Sequence, residues 1–258
     1  MPNRRLVALI AAPAAVIAAG LIAFVATLQV TRIGTGSLAS FTPPAAAAPT
    51  PTPVPLTDLA RADLSRVVTI EAERSSDEEL GTGWLFDARG DFVTNAHVIS
   101  GQLTVRIRDR LDHSHVGRVI GVDPVNDIAV IRSTDGFGGP ALSVDHAQLP
   151  RVPFPVIAVA SGRATGRADM TVETLTQLGQ DVPVDSTDVQ PGAGGPTTYH
   201  DMLELDGARI FQGNSGGPVL DGAGDVIGIV TLASKATSEA FAIPLSRVYA
   251  ELSTFSAR

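Results

Sequence analysis

In Gln212-Gly213-Asn214-Ser215-Gly216-Gly217-Pro218 one serine stands among three glycines. Glycine permits positive φ and close backbone approach, so such a turn can aim consecutive amides at one point. A concavity of amides binds negative charge, including the oxyanion formed when a serine attacks a carbonyl. Taken alone, Ser-Gly-Gly reads as an ordinary hairpin turn with a surface serine, so the partners decide. A serine hydroxyl is a weak nucleophile until a base takes its proton. Of five histidines, His97 is the best placed: in Phe92-Val93-Thr94-Asn95-Ala96-His97-Val98 a strand ends in small and polar residues where the chain leaves the sheet. His113 and His115 lie in the charged stretch 108–115, which reads as a solvated hairpin, and His146 and His200 fall in loops. A histidine base needs a buried carboxylate against its other nitrogen. Asp127 opens the apolar run Ile128-Ala129-Val130-Ile131, which would bury it, whereas Asp123 precedes Pro124 and reads as a turn cap.

These groups need a scaffold, and the sequence offers strands. Short β-rich runs closed by turn residues recur at 67–72, 81–86, 92–94, 103–107, 116–122 and 128–131. After Gly138-Gly139-Pro140 a second set follows at 156–160, 170–175, 202–205, 217–220, 226–232 and 240–243. A dozen short strands at this spacing predict an all-β sandwich or barrel arrangement. No amphipathic segment of 10–15 residues separates the strands, which argues against parallel βαβ units. Residues 58–64 suit a short helix capped by Thr57. A C-terminal helix over 244–256 opens on Pro244, and its stripe of Leu245, Val248, Tyr249, Leu252 and Phe255 should pack onto the last barrel. The polar, Gly- and Pro-rich stretch 179–196 reads as a mobile surface loop.

The N-terminal quarter differs in composition. From Leu6 to Leu28 there are 23 residues without a charge. As a helix they span about 35 Å, enough to cross a hydrocarbon core of about 30 Å. Arg4 and Arg5 precede them, so the positive-inside rule keeps the N-terminus cytoplasmic and the rest outside. The expectation is a cytoplasmic stub and membrane anchor over 1–32. A cleaved signal peptide is the alternative, and either one exports the remainder. Residues 33–57 carry no charge and are rich in Pro and Ala, which predicts an extended spacer. The globular domain is then 58–258. The chain carries −8 overall. Residues 1–32 hold three arginines and no acid, so the remainder carries −11. That acidity, with Lys235 the single lysine, argues against nucleic-acid binding. Cysteine is absent, so thiol-ligated metal sites and disulfides are excluded. No phosphate-cradling motif or metal-ligand cluster appears, and no cofactor is expected.

Thr94-Asn95-Ala96-His97-Val98, Asn126-Asp127-Ile128-Ala129-Val130 and Gly213-Asn214-Ser215-Gly216-Gly217-Pro218 stand in the His…Asp…Ser order of chymotrypsin-like (trypsin-like) serine proteases. They resemble most the HtrA/Deg branch. The resemblance runs from about Leu64 to Tyr249 and includes Gly81-Thr82-Gly83 and Phe241-Ala242-Ile243-Pro244. It implies two antiparallel six-stranded β-barrels, the first over about 64–135 and the second over about 149–243, with the active site between them. His97 and Asp127 would come from the first barrel and Ser215 from the second. The oxyanion hole would lie at Gly213, Asn214 and Ser215, formed by the amides of Gly213 and Ser215. Protein or peptide substrates follow. A PDZ domain, usual in that branch, is not expected here, and trimer formation cannot be assumed.

Primary specificity stays open between two readings. Arg209 lies near where trypsin-like relatives place the base of the pocket; turned inward, it would favour an acidic side chain. With Arg209 in solvent, Ile210 or Phe211 lines an apolar pocket beside Gln212. Thr231, Leu232 and Ala233 are placed to pair with substrate backbone in β fashion. The activity expected is a membrane-anchored serine endopeptidase. The alternative is a catalytically silent or latent protein that binds peptides in the same cleft.

Overall fold

Ile128-Ala129-Val130-Ile131 shows how the scaffold is built. Alternate side chains of a strand point to opposite faces. Ala129 and Ile131 fill one barrel's interior, while Ile128 and Val130 join a cluster outside it. In the second half Val156 and Ala158 face inward, and Ile157 and Val159 face outward. Both faces of these strands are buried, so they read as unbroken apolar runs. The outward faces of the two halves share one cluster, in which Trp84, Val93, Ile128 and Val130 pack with Ile157, Val159, Leu220, Ile229 and Ile243.

The computed structural model describes residues 55–73, 78–165, 170–184, 196–207, 213–234 and 237–258. Helix α1 (Leu56–Asp63) and a short 3-10 turn lead into β1 (Val67–Glu73), β2 (Glu78–Asp87) and β3 (Asp91–Thr94). The helical turn α2 (Ala96–Ile99) follows, then β4 (Thr104–Arg108), β5 (Ser114–Asp123) and β6 (Ile128–Ser133). The second half comprises β7 (Phe154–Val159), the turn α3 (Gly162–Thr165), β8 (Met170–Pro183), β9 (Thr198–Asp206), β10 (Pro218–Leu220), β11 (Val226–Ala233) and β12 (Ala240–Pro244). Helix α4 (Leu245–Ser256) ends the chain. Each half closes into a six-stranded barrel, in the orders β1-β2-β3-β6-β5-β4 and β10-β11-β12-β9-β8-β7. Neighbouring strands of the barrels pair antiparallel. This is the chymotrypsin-like architecture.

Three expectations need correction. Thr57 does not cap α1: the helix starts at Leu56, two residues earlier than expected, and the Pro55 carbonyl accepts the amides of Asp58 and Leu59. Pro55 sits in the extended region that a helix-preceding residue adopts, so the boundary falls there. The stretch 179–196 is not loop from its start, because β8 runs on to Pro183, paired with β9 through three register shifts. Bulges let Gly179, at φ +71°, stay within the ladder. Finally, α4 packs on more than the last barrel, touching β5 and β6 as well as β11 and β12. The span Leu6–Leu28, most of the spacer and residues 185–195 lie outside the described residues. Among the described residues no helix is long and apolar enough to cross a membrane.

Candidate active site

The β3–β6 ladder aligns Thr94 with Ala129, which brings the exit from β3 beside the entry to β6. His97 follows the first position by three residues, and Asp127 precedes the second by two. Asp127 is fully buried and takes φ +52°, a left-handed conformation that aspartate tolerates better than most residues. Its Oδ1 accepts the His97 backbone amide at 2.9 Å, and its Oδ2 meets His97 Nδ1 at 2.7 Å. The same aspartate thus holds both the backbone and the ring of His97. With Nδ1 donating to Oδ2, the ring lone pair lies on Nε2. Asn95 fixes the neighbouring chain by donating to the Asp127 carbonyl at 2.8 Å and to Thr231 Oγ1 at 3.1 Å. Asp123 instead accepts Val125 N at 2.8 Å and the Asn126 side chain, and so shapes the turn.

Ser215 reaches this corner from the second barrel. Gly213 and Gly216 on either side have φ of +97° and +87°. A Cβ on Gly213 would lie 2.3 Å from the Ala164 carbonyl oxygen, and one on Gly216 would lie 2.3 Å from Thr94 Oγ1. Only glycine fits either place. Thr82 of β2 clamps the turn twice: its amide donates to the Ser215 carbonyl at 2.9 Å and its hydroxyl to the Gly213 carbonyl at 2.7 Å. Thr94 Oγ1 in turn donates to the Thr82 carbonyl at 2.7 Å, so one chain of bonds links the end of β3 to the serine turn. Asn214 is buried, and its carbonyl accepts the Gly217 amide. Ser215 is half-buried, with Oγ donating to the Thr231 carbonyl at 3.3 Å.

Tyr199 of β9 is a partner that the sequence reading missed. It is 7% exposed, and its hydroxyl donates to Asp127 Oδ2 at 2.8 Å. Burial first, and then the Asp127 charge, push the phenol far above its usual range, so it stays a donor. The sequence pattern starts the surrounding strand only at Met202, which leaves Tyr199 without a predicted place. The other four histidines are engaged elsewhere. His113 and His200 are exposed and pair with Asp109 and Asp181. His115 stacks on Phe137 and His146 on Tyr249.

The residues expected to contact substrate divide in two. Arg209, Ile210, Phe211 and Gln212 lie outside the described residues. Thr231 is buried at a register shift in β11 between Val230 and Leu232, so it has no direct partner in β12. Leu232 is half-buried and Ala233 exposed at the strand's end. Among the described residues, no group of three or more His, Asp or Glu could hold a metal ion.

Comparison with known families decides the lineage. Residues 81–229, more than half the chain, match the family described as "Trypsin-like peptidase domain". The chain belongs to the trypsin-like peptidase family. Within it, HtrA-like relatives are similar. HhoA of Synechocystis sp. is 33% identical over 180 residues, covering 69% of this chain and 43% of that protein. The HtrA-like serine protease of Staphylococcus epidermidis is 30% identical over 200 residues, covering 72% and 32%. The chain thus spans less than half the length of these relatives. Among solved structures, the active form of the Rv3671c protease from M. tuberculosis superposes with a TM-score of 0.64 at 23% identity, covering 80% of this chain and 88% of that one. The serine endoprotease from Yersinia pestis gives 0.61 at 21%, covering 80% and 68%. The trypsin-like peptidase fold is therefore shared well beyond recognisable sequence identity.

Proposed function

We propose that this chain is a serine endopeptidase that cleaves peptide bonds through Ser215, His97 and Asp127. The observation that carries this reading is the double grip of the buried Asp127 on His97, beside a serine turn clamped by Thr82. Ser215 Oγ leaves the Thr231 carbonyl and attacks the substrate carbonyl carbon as His97 Nε2 takes its proton. Negative charge on the carbonyl oxygen falls to the amides of Gly213 and Ser215. Collapse expels the amine, protonated by His97, and leaves an acyl group on Ser215 Oγ. Water, deprotonated by His97, then attacks the ester, and as the acyl bond to Ser215 breaks His97 returns the proton to Oγ and the acid is released. Asp127 holds the tautomer throughout and stabilises the imidazolium. Substrates are proteins or peptides.

The same reading tethers the enzyme to a membrane through residues 6–28, with the domain outside and the Pro- and Ala-rich spacer holding it away from the surface. It rests on 23 uncharged residues preceded by Arg4 and Arg5. One experiment tests both parts. A fluorophosphonate applied to cells expressing the full chain should label it in the membrane fraction, and Ser215→Ala should abolish the label. A label that survives Ser215→Ala removes the hydrolase reading; labelled full-length chain in the soluble fraction removes the tether.

A further inference from the structure

Asp127 Oδ2 takes two donors from opposite sides. His97 Nδ1 approaches from the first barrel at 2.7 Å, and the Tyr199 hydroxyl approaches from the second at 2.8 Å. A phenol buried only for packing could have met any carbonyl. This one reaches across the barrel interface to the same oxygen that orients the imidazole. Arg247 of α4 supports both sides, donating to the side chain of Asn126 and to the His200 carbonyl, next to Asp127 and Tyr199 respectively. We propose that Tyr199 is a positioning residue for the reaction: through Asp127 Oδ2 it sets how strongly the carboxylate holds the His97 ring, and so how readily His97 gives up its proton. This rests on the Ser215–His97–Asp127 reading and adds a residue to it.

The direction of the effect follows from charge. A donor on Oδ2 draws on the carboxylate's negative charge, which would otherwise stabilise the imidazolium. Remove it, and His97 stays protonated to higher pH; strengthen it, and His97 deprotonates at lower pH. Other groups around the corner stay constant through such changes. Asn95 ahead of α2 and Thr231 of β11 are neutral, as is Ser215 beside β10. Arg247 bonds Asn126 and the His200 carbonyl rather than the carboxylate. The next carboxyls, Asp123 and Glu251, interact with each other and with Asn126.

The chain has only two tyrosines, Tyr199 and Tyr249, which makes the test site-specific. The pH dependence of kcat/KM is measured with a peptide ester for the wild type, for Tyr199→Phe, and for Tyr249→Phe grown with 3-fluorotyrosine, whose phenol is the stronger donor. Unfluorinated Tyr249→Phe is the control. In Tyr199→Phe the acid limb should move up by about half a unit to one unit, with KM within about twofold, as expected for one hydrogen bond to a charged group. With fluorotyrosine at 199 the limb should move the opposite way. Superimposable limbs in enzymes that still label with fluorophosphonate overturn the role of Tyr199 alone. Failure of the wild type to label overturns the catalytic reading along with it. Should Tyr199→Phe not fold, the fluorotyrosine arm decides the matter.

Discussion

Asp127 combines a left-handed backbone with a fully buried charge, and both features constrain what can replace it. Asparagine tolerates φ near +52° almost as well as aspartate, whereas alanine does so at a cost of about 1–2 kcal/mol. Alanine also strands three donors: the buried Tyr199 hydroxyl, at about 1–3 kcal/mol, and the half-buried His97 amide and Nδ1. Asp127→Asn should therefore melt well above Asp127→Ala while losing activity almost as completely, by about 10⁴ in kcat, because the amide presents the wrong partner to the ring. Thermal melts beside single-turnover kinetics check both halves, and near-wild-type kcat in Asp127→Asn would remove the carboxylate from the mechanism. At this scale the sequence was informative wherever chemistry is local. His97 and Ser215 stand among short residues and glycines that have few other uses, and Asp127 opens an apolar strand. Tyr199 was not legible, since its contact spans 72 positions and exists only once two barrels have docked.

Elements were legible to the extent that their burial leaves a period. Unbroken apolar runs marked strands covered on both faces, and the spacing of Leu245, Val248, Leu252 and Phe255 marked α4. That stripe shows which face is apolar, not what covers it, so the contact of α4 with β5 and β6 could not be read ahead. The far end of α4 is fastened by charge. Asp91 of β3, fully buried, receives Arg132 Nε and Nη2 at 2.6 and 2.8 Å and Ser256 Oγ at 2.7 Å, while Arg132 also donates to the Ser256 carbonyl. Burial alone would raise the Asp91 pKa, but the Arg132 and Ser256 hydrogen bonds outweigh it and hold the carboxyl below its usual value of 3.8. A folded pKa below the unfolded one stabilises fully above the unfolded value and loses that contribution as pH falls through the folded one. Asp91→Asn should therefore melt lower than wild type at pH 7, yet lose less Tm between pH 5 and about pH 3. Parallel Tm–pH curves for the two proteins would show that the clamp contributes nothing through its charge.

For the whole molecule, the two barrels are joined more firmly than their separate interiors suggest. The interior clusters belong to one barrel each, but a third, larger cluster takes residues from both and from α4. Polar links cross the same boundary: Thr82 to Gly213 and Ser215, Asn95 to Thr231, Tyr199 to Asp127. The parts of the proposed site are divided between the barrels, so activity requires both. A barrel released from the other would expose Trp84, Ile128 and Val130 or Ile157, Val159 and Ile229 to water. Each such side chain contributes about 1.5–3 kcal/mol when buried, and summed over one face this approaches the whole stability of a typical domain, about 5–15 kcal/mol. Neither barrel should therefore persist alone. Trp84 is the single tryptophan, lies in the first barrel and is fully buried against the second, so its fluorescence reports the boundary directly. In urea, Trp84 emission, far-UV circular dichroism and hydrolytic activity should be lost in one coincident transition, measured on residues 55–258. Independent barrels would give a different result: fluorescence and activity would vanish at a lower urea concentration than half or more of the β signal.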